Sequence, residues 1–335
     1  MPKEITHWIL AEKALQQLPE RYRMKRVIKR HRQLYLIGAV LPDTPYTYLF
    51  GPGKKKVQDA AIAMHDSPGD SFQPVHAVLS HYRGKGVPEY VWALLAGVAA
   101  HIMADATFHP MVCYFAGNNY ARKKTEMRHS MIETALDLHH LHSMPLINRE
   151  LFACSILKRS ISMRSLSEFL AVFLGMSPER DRWLMHRLFL YHALLQWSFG
   201  KKWIRSLLQM LNRMPGMDLE RKLTHYYPQY RSTPLSFFSE KIDFRHPVDG
   251  MRRQKTANDL EADFLDRMGV LDAFEECLDS GGKESLELGE QPNLLTGMVG
   301  VASDRMQFFN TDCDLALLLD LHGRLFHLPQ KQAAQ

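Results

Sequence analysis

The segment GVAAHIMADATFHP (residues 97–110) carries three side chains of metal-ligand type in an otherwise apolar stretch. His101, Asp105 and His109 are the only histidine, acidic or basic residues between positions 91 and 116. Their spacing of four residues places all three on one face of a helix. A carboxylate buried among apolar side chains needs compensation, and imidazole with carboxylate is a common ligand set for zinc. The spacing therefore predicts a metal site. The alternative is a buried network in which these polar side chains hydrogen-bond to one another without a metal.

A second pair of the same kind follows in the segment RHSMIETAL. His129 and Glu133 again lie four residues apart on a predicted helix. One such pair is weak evidence, because histidine–glutamate pairs occur by chance on many helix faces. Two helical elements of this kind between residues 101 and 133 favour a metal centre more strongly than either does alone.

Three more residues are candidates for the same centre. His7 lies at the start of the first predicted helix, Asp43 lies in a Pro-Asp-Thr-Pro turn, and His65 precedes Asp66. Taken singly, each has an ordinary explanation as a surface group, a turn or cap residue, or a loop histidine. They gain weight only in combination with the two helical motifs.

The elements that must position these residues are predicted to be helices. Leu, Met and Ala dominate the apolar residues, and their spacing is helical, without the alternation typical of strands. We predict an all-α fold. Pro19 is expected to end the first helix, and Pro110 to end or kink the long apolar helix that begins near Pro88. Helices are predicted over 125–141, 166–174, 181–214, 259–279 and 312–326, and long loops over 38–46, 227–258 and 280–293.

Composition sets limits on where the protein acts. Hydrophobic residues make up 46% and charged residues 23%, as in soluble globular proteins. The N-terminus lacks the apolar core of a signal peptide, so we expect a soluble, cytoplasmic protein. The four cysteines are scattered, which argues against a thiolate zinc site or a disulfide framework. The basic run at 21–32 could contact anionic lipid or nucleic acid, but a solvated helix face is the favoured interpretation.

Taken in chain order, the candidate residues resemble the pattern of the zinc-dependent phospholipase C family, whose superfamily also includes single-strand-specific nucleases. That pattern is an early His, an Asp in a Pro-Asp turn, His-Asp, His-xxx-Asp, another His, and His-xxx-Glu. The matching residues here are Thr6-His7-Trp8, Pro42-Asp43, His65-Asp66, His101-xxx-Asp105, His109 and His129-xxx-Glu133.

The resemblance implies a role for each matching residue. It implies that His65, His101 and Asp105 bind one zinc ion, and that Asp105 bridges to a second ion that His7 also binds. A separate ion would be held by His109, His129 and Glu133, for two or three Zn²⁺ in all. Asp43 would orient or deprotonate the attacking water. For the whole chain we predict a helical hydrolase domain over residues 1–240, with its ligands in 1–135, and a C-terminal helical extension over 241–335 packed on the same body.

The function implied by the resemblance is metal-dependent hydrolysis of a phosphodiester, with a phospholipid headgroup as the preferred substrate. Peripheral contact with a membrane is expected, and a stable complex with nucleic acid is not. A nuclease-like or other phosphodiesterase activity on the same metals and a non-catalytic metal-binding protein remain alternatives. Trp8, Tyr46, Tyr48, Phe50 and Phe72 flank the ligand positions and could serve base stacking or lipid access, or simply pack. The loop at 244–250 is expected to cover the cleft, with His246 exposed to solvent.

Overall fold

The computed structural model describes residues 4–66, 69–117, 123–143, 155–156, 158–199, 201–214, 216–217, 219–226, 236–280, 286 and 288–310. The prediction of an all-α fold is confirmed, since helices make up most of this part of the chain. The α-helices are α1 (Glu4–Gln17), α2 (Arg23–Arg30), α3 (Arg32–Gly38), α4 (Lys54–His65), α5 (Gln73–Tyr82), α6 (Glu89–Ala116), α7 (Lys123–Ser143), α8 (Met163–Phe173), α9 (Arg182–Phe199), α10 (Lys202–Asn212), α11 (Glu220–Leu223), α12 (Ser236–Ser239), α13 (Ala257–Arg267) and α14 (Val270–Asp279). Two 3₁₀ helices span Leu41–Thr47 and Ser303–Arg305.

Helix α6 runs through the centre of the molecule. By length and composition it is the one helix in the described part of the chain that could cross a membrane, but its most apolar window is entirely buried among the other helices. Such burial is typical of the core helix of a globular domain. Helices α1, α2, α3 and α7 pack around it, and α13, α14 and β1 (Ile242–Arg245) contact it from the C-terminal part of the chain.

Pro110 lies inside α6 and does not end it, since the helix continues to Ala116. Pro110 was expected either to end or to kink the helix, and the predicted end is therefore wrong. Proline has no N–H to donate to the carbonyl of Ala106, four residues earlier. Gly297, at φ +67°, approaches that point so closely that a Cβ atom would lie 2.3 Å from the Ala106 carbonyl oxygen. A distant loop thus packs against the turn of the helix that the proline leaves open.

The predicted loop over 227–258 is wrong in its second half. Strand β1 pairs antiparallel with β2 (Arg252–Lys255), with Ile242 opposite Lys255 and Arg245 opposite Arg252. Side chains of β1 alternate between buried and exposed, as expected for a strand with one face on the core. Residues 227–235 and the predicted helix over 312–326 lie outside the described residues.

His246, at the end of β1, is buried and not exposed, so that prediction is also wrong. Its ring lies beside Arg253 and the Asp249 carboxylate, which is 3.6 Å from its Nδ1 atom. The ring lines a cavity of about 290 Å³ between the hairpin, α13 and the Pro110 turn, and none of the candidate metal ligands lines that cavity. The hairpin folds back on the body, which buries the histidine.

Two other helix predictions need their boundaries corrected. The helix predicted over 181–214 is two helices, α9 and α10, and the one predicted over 259–279 is interrupted at Met268–Gly269. Phe274 of α14 packs its ring against both Trp92 of α6 and Phe72, so the C-terminal part joins the same core. We retain the division of the chain at residue 240 as a proposal.

Helices α3 and α6 cross at two glycines. A Cβ atom at Gly97 would lie 2.1 Å from the carbonyl oxygen of Tyr35, and one at Gly38 would lie 2.2 Å from that of Leu94. Only glycine permits this backbone approach. The crossing brings the carbonyl of Ala39, just after α3, within 3.0 Å of the His101 Nδ1 atom. The packing of these helices therefore sets the position of a candidate ligand.

We expect Gly97→Ala to lower the free energy of unfolding by about 2–3 kcal/mol or more, because the added methyl group must push two helix backbones apart. The measurement is urea denaturation followed by circular dichroism. Gly289→Ala is the matched control, since a Cβ atom there meets nothing within 4 Å. Equal stability of the two variants would contradict the close crossing of α3 and α6.

Candidate metal centre

All eight residues predicted from the sequence converge in the structure, and all eight are buried. They come from five elements: α1, the 3₁₀ helix Leu41–Thr47, the last residue of α4, the middle of α6, and α7. Their ligand atoms form three groups, each compact enough to surround one ion. The groups are His7, His101 and Asp105; Asp43, His65 and His101; and His109, His129 and Glu133.

Asp105 is the central carboxylate. Its Oδ1 atom lies 3.4 Å from His7 Nε2, and its Oδ2 atom lies 3.2 Å from His101 Nε2 and 3.9 Å from His65 Nε2. The rings of His7 and His101 stack with their centroids 4.2 Å apart. One carboxylate thus faces three imidazoles from three helices.

Asp43 lies close to the ligands of the second group. Its Oδ1 atom is 3.2 Å from His65 Nε2 and 3.7 Å from His101 Nε2. The turn that carries Asp43 is held by α9, where His192 Nδ1 lies 3.0 Å from the Thr44 hydroxyl and His192 Nε2 lies 2.6 Å from Glu4. Asp43 therefore forms, with His65 and His101, a group compact enough to surround one ion.

The third group lies one helical turn further along α6. His129 Nε2 is 2.6 Å and His109 Nε2 is 3.6 Å from Glu133 Oε1. His109 Nδ1 is also 3.7 Å from Asp105 Oδ2, so this group adjoins the first. Asp137, one turn after Glu133 on α7, accepts hydrogen bonds from the backbone N–H and the hydroxyl of Thr6. This contact fixes α7 against the helix that carries His7.

Three of the histidines are oriented by main-chain carbonyl groups. The Nδ1 atoms of His65, His101 and His109 donate to the carbonyl oxygens of Ala61 (2.9 Å), Ala39 (3.0 Å) and Leu294 (2.9 Å), respectively. A carbonyl oxygen can only accept, so Nδ1 carries the proton and Nε2 faces the carboxylates. A metal-binding histidine is commonly oriented in this way by a hydrogen bond from its other ring nitrogen.

The donor atoms fit a metal ion better than they fit one another. His7 Nε2, His101 Nε2, His109 Nε2 and both carboxylate oxygens of Asp105 are buried without a hydrogen-bond partner. Buried polar atoms are rarely left in this state, because each one costs free energy. The alternative interpretation of this spacing is a buried network of polar side chains that hydrogen-bond to one another. In such a network these atoms would have partners. The ligand atoms of each group lie within 4.8 Å of one another. Imidazole nitrogen and carboxylate oxygen are common ligand atoms of zinc.

The electrostatics of the first two groups also favour a cation. Burial lowers the pKa of His7 to about 3. Burial acts on His101 in the same direction, but Asp105 and Asp43 outweigh it and raise the pKa of that ring to about 9. For Asp105, burial favours the neutral acid, yet His109 and His101 hold its pKa well below the usual range. The carboxylates thus remain ionised and attract positive charge to this buried place.

Sequence reasoning missed the contribution of the second half of the chain. The carbonyl of Leu294 orients His109, and the loop that supplies it is held by Asn293, whose side chain accepts from the N–H groups of Leu295 and Thr296. The one signal in the sequence was the turn-forming pair Asn293 and Gly297 in NLLTG. Nothing in that pattern specifies its distant partner.

Access from solvent is limited to two edges of the centre. The side chains of His7, His101 and Asp105 are 0% exposed, whereas Asp43 is 8% and His129 is 9% exposed. Of the five flanking aromatic residues, Trp8, Tyr48 and Phe72 are fully buried and pack in the core. Tyr46 lies at the Asp43 edge, 3.5 Å from His65, and Phe50 is 66% exposed.

Comparison with known proteins gives one match. A family model described as zinc-dependent phospholipase C matches residues 6–174, a range that includes all eight candidate residues. No curated protein and no solved structure matches the chain. The matched range covers half of the chain and includes every element that supplies a candidate ligand, except the first two residues of α1. The chain therefore belongs to the zinc-dependent phospholipase C family.

Proposed function

We propose that this protein is a zinc-dependent phosphodiester hydrolase that releases a phosphorylated headgroup from a phospholipid. The observation that carries the proposal is the convergence of eight ligand-type residues, all within the range matched by the family, on one buried centre. We further propose that it acts in the cytoplasm.

The ligands would be divided among two or three zinc ions. His65, His101 and Asp105 would hold one, with Asp43 close enough to join them, and Asp105 would bridge to another held by His7. His109, His129 and Glu133 would hold a third. Zinc bound there supplies Lewis acidity, which makes water more acidic near neutral pH and stabilises negative charge on phosphoryl oxygens.

The chain's own groups position the reactants. Asp43 is the accessible carboxylate of the centre, so it can accept a proton from the water that attacks phosphorus. Attack forms a new bond from that water oxygen to phosphorus and breaks the bond to the glycerol oxygen, which leaves and takes up a proton from solvent. Burial and the nearby Asp43 raise the pKa of Tyr46, so its hydroxyl stays protonated and can donate to a phosphoryl oxygen. The fully buried His7, His101 and Asp105 exclude bulk water from the far side.

Asp43→Asn tests this assignment. We expect kcat for phosphatidylcholine hydrolysis to fall about 100-fold, because an amide cannot accept the proton. The amide oxygen can still act as a ligand, so the zinc content should stay at or near that of the wild type. Asp59→Asn, at an exposed position on α4, is the control and should retain full activity. Unchanged turnover in Asp43→Asn would remove this residue from the mechanism.

A further inference from the structure

Helix α9 presents apolar side chains to solvent along one stripe. Trp183, Leu190, Leu194 and Trp197 recur at helical spacings of seven, four and three residues and are 49%, 53%, 62% and 37% exposed. A stripe with this spacing normally lies against the protein core. Here the opposite side of α9 contacts the core, and its buried residues include Leu184, Met185 and Leu188. The outer stripe is therefore a second apolar face.

Helix α10 continues the same feature. Trp203, Leu207 and Met210, again at helical spacing, are 62%, 42% and 57% exposed. Arg205 is the residue of this helix that is buried, so α10 turns its apolar side outward. We call the seven exposed residues of the two helices the outer face: Trp183, Leu190, Leu194, Trp197, Trp203, Leu207 and Met210. Large exposed apolar patches mark sites of interaction with proteins or membranes.

The charged residues of the segment that forms the outer face have one sign. Residues 182–217 contain six lysine and arginine residues and neither aspartate nor glutamate. Lys201 lies over the ring of Trp197 at 4.8 Å, and Arg187 lies over that of Trp183 at 5.5 Å. Lys202 and Arg213 are exposed. Tryptophan and leucine on one face with cations beside them is the composition of helices that lie in the headgroup region of anionic membranes.

The same charges disfavour a second copy of the chain as the occupant. A symmetric dimer places the same surface patch on both subunits, so the cations of α9 and α10 would face their own copies without acidic partners from these helices. Like charges brought together in this way weaken association. An anionic bilayer offers both an apolar layer and the opposite charge.

We propose that the outer face of α9 and α10 docks the protein on anionic lipid bilayers. The idea that docking serves catalysis rests on the proposed phospholipase function. The inner side of α9 holds the turn of Asp43 through His192 and Thr44, and Phe50, which follows that turn, packs against Tyr191 of α9. A bilayer bound to the outer face would thus lie one helix away from the accessible edge of the centre.

Sedimentation with vesicles tests the docking directly. We expect the full chain to bind vesicles of phosphatidylcholine with 30% phosphatidylglycerol (on the order of the anionic content of natural membranes) and to bind them less as salt is raised. Trp203→Ser/Leu207→Ser should lower the partition coefficient at least about tenfold. Lys202→Glu should lower it about fivefold or more. Met251→Ser and Lys85→Glu, at exposed positions away from the outer face, should bind as the wild type.

The outcomes separate docking from catalysis. If docking serves catalysis, Trp203→Ser/Leu207→Ser should lose activity on vesicles but keep wild-type kcat/KM on a soluble short-chain phosphatidylcholine. Vesicle binding that depends on the outer face in a chain without hydrolase activity would support docking and refute the proposed function. Wild-type binding by Trp203→Ser/Leu207→Ser would overturn the docking proposal. A concentration-dependent dimer that this variant abolishes, without vesicle binding, would also overturn it and assign the face to a second copy.

Discussion

Replacing Asp105 with asparagine is expected to lower kcat/KM for phospholipid hydrolysis about 1,000-fold or more. Its two oxygens lie 3.4 Å from His7 and 3.2 Å from His101, so a single change affects both imidazoles that face this carboxylate. Metal-ion catalysis supplies several kcal/mol of transition-state stabilisation, which would be lost with the ion. Each loss of about 1.4 kcal/mol lowers the rate about tenfold. The same variant should lose at least one zinc ion per chain by elemental analysis.

Asp59→Asn again serves as the control, because it removes a carboxylate of the same type from the surface of α4. Circular dichroism and gel filtration establish whether Asp105→Asn still folds. A folded Asp105→Asn protein with wild-type activity would refute the central role of this carboxylate. Loss of zinc without loss of activity would separate the metal from the reaction and refute the metal-dependent mechanism.

Removing the metal is expected to lower the thermal stability of the protein. Asp105 and Glu133 are buried and ionised, and the imidazoles that they face are also buried. An ion bound among these groups would stabilise the folded state alone, because the unfolded chain does not hold the groups together. At free zinc about 1,000-fold above Kd, one site contributes about 4 kcal/mol. We expect dialysis against a chelator to lower Tm by roughly 5–10 °C, and added zinc to restore it.

The double variant Asp105→Asn/Glu133→Gln is the matched control for the chelator. Because it lacks a carboxylate in each of two ligand groups, its Tm should respond little to either chelator or zinc. Superimposable melting curves of the wild-type protein with zinc and with chelator would mean that no ion stabilises the folded chain. The buried groups would then form a polar core, as the alternative interpretation of the sequence holds.

The ligand set was accessible from the sequence because helical geometry is local. Residues four apart on a helix share a face, so His101, Asp105 and His109 could be placed together before any tertiary structure was known. The same holds for His129 and Glu133. Their apolar surroundings also indicated burial, and the all-α class followed from the spacing of the apolar residues. What joined these pairs to His7, Asp43 and His65 was the resemblance to a family.

Long-range contacts could not be predicted in this way. The carbonyl of Leu294 that orients His109 lies 185 positions away in the chain, and a backbone carbonyl leaves no signature in the sequence. The loop that packs at Ala106, beside the helical turn that Pro110 leaves open, is again a tertiary contact. His246 was assigned to an exposed loop because a four-residue strand is too short for alternation to stand out. Burial there comes from the fold-back of the hairpin.

The most direct test of the central claim is the number of zinc ions per chain, measured by elemental analysis of protein purified without chelators and without a histidine tag. The account predicts two or three zinc ions per chain, fewer in Asp105→Asn and in Glu133→Gln. No bound zinc, even after incubation with the metal, would contradict it and identify the eight converging residues as a buried polar network.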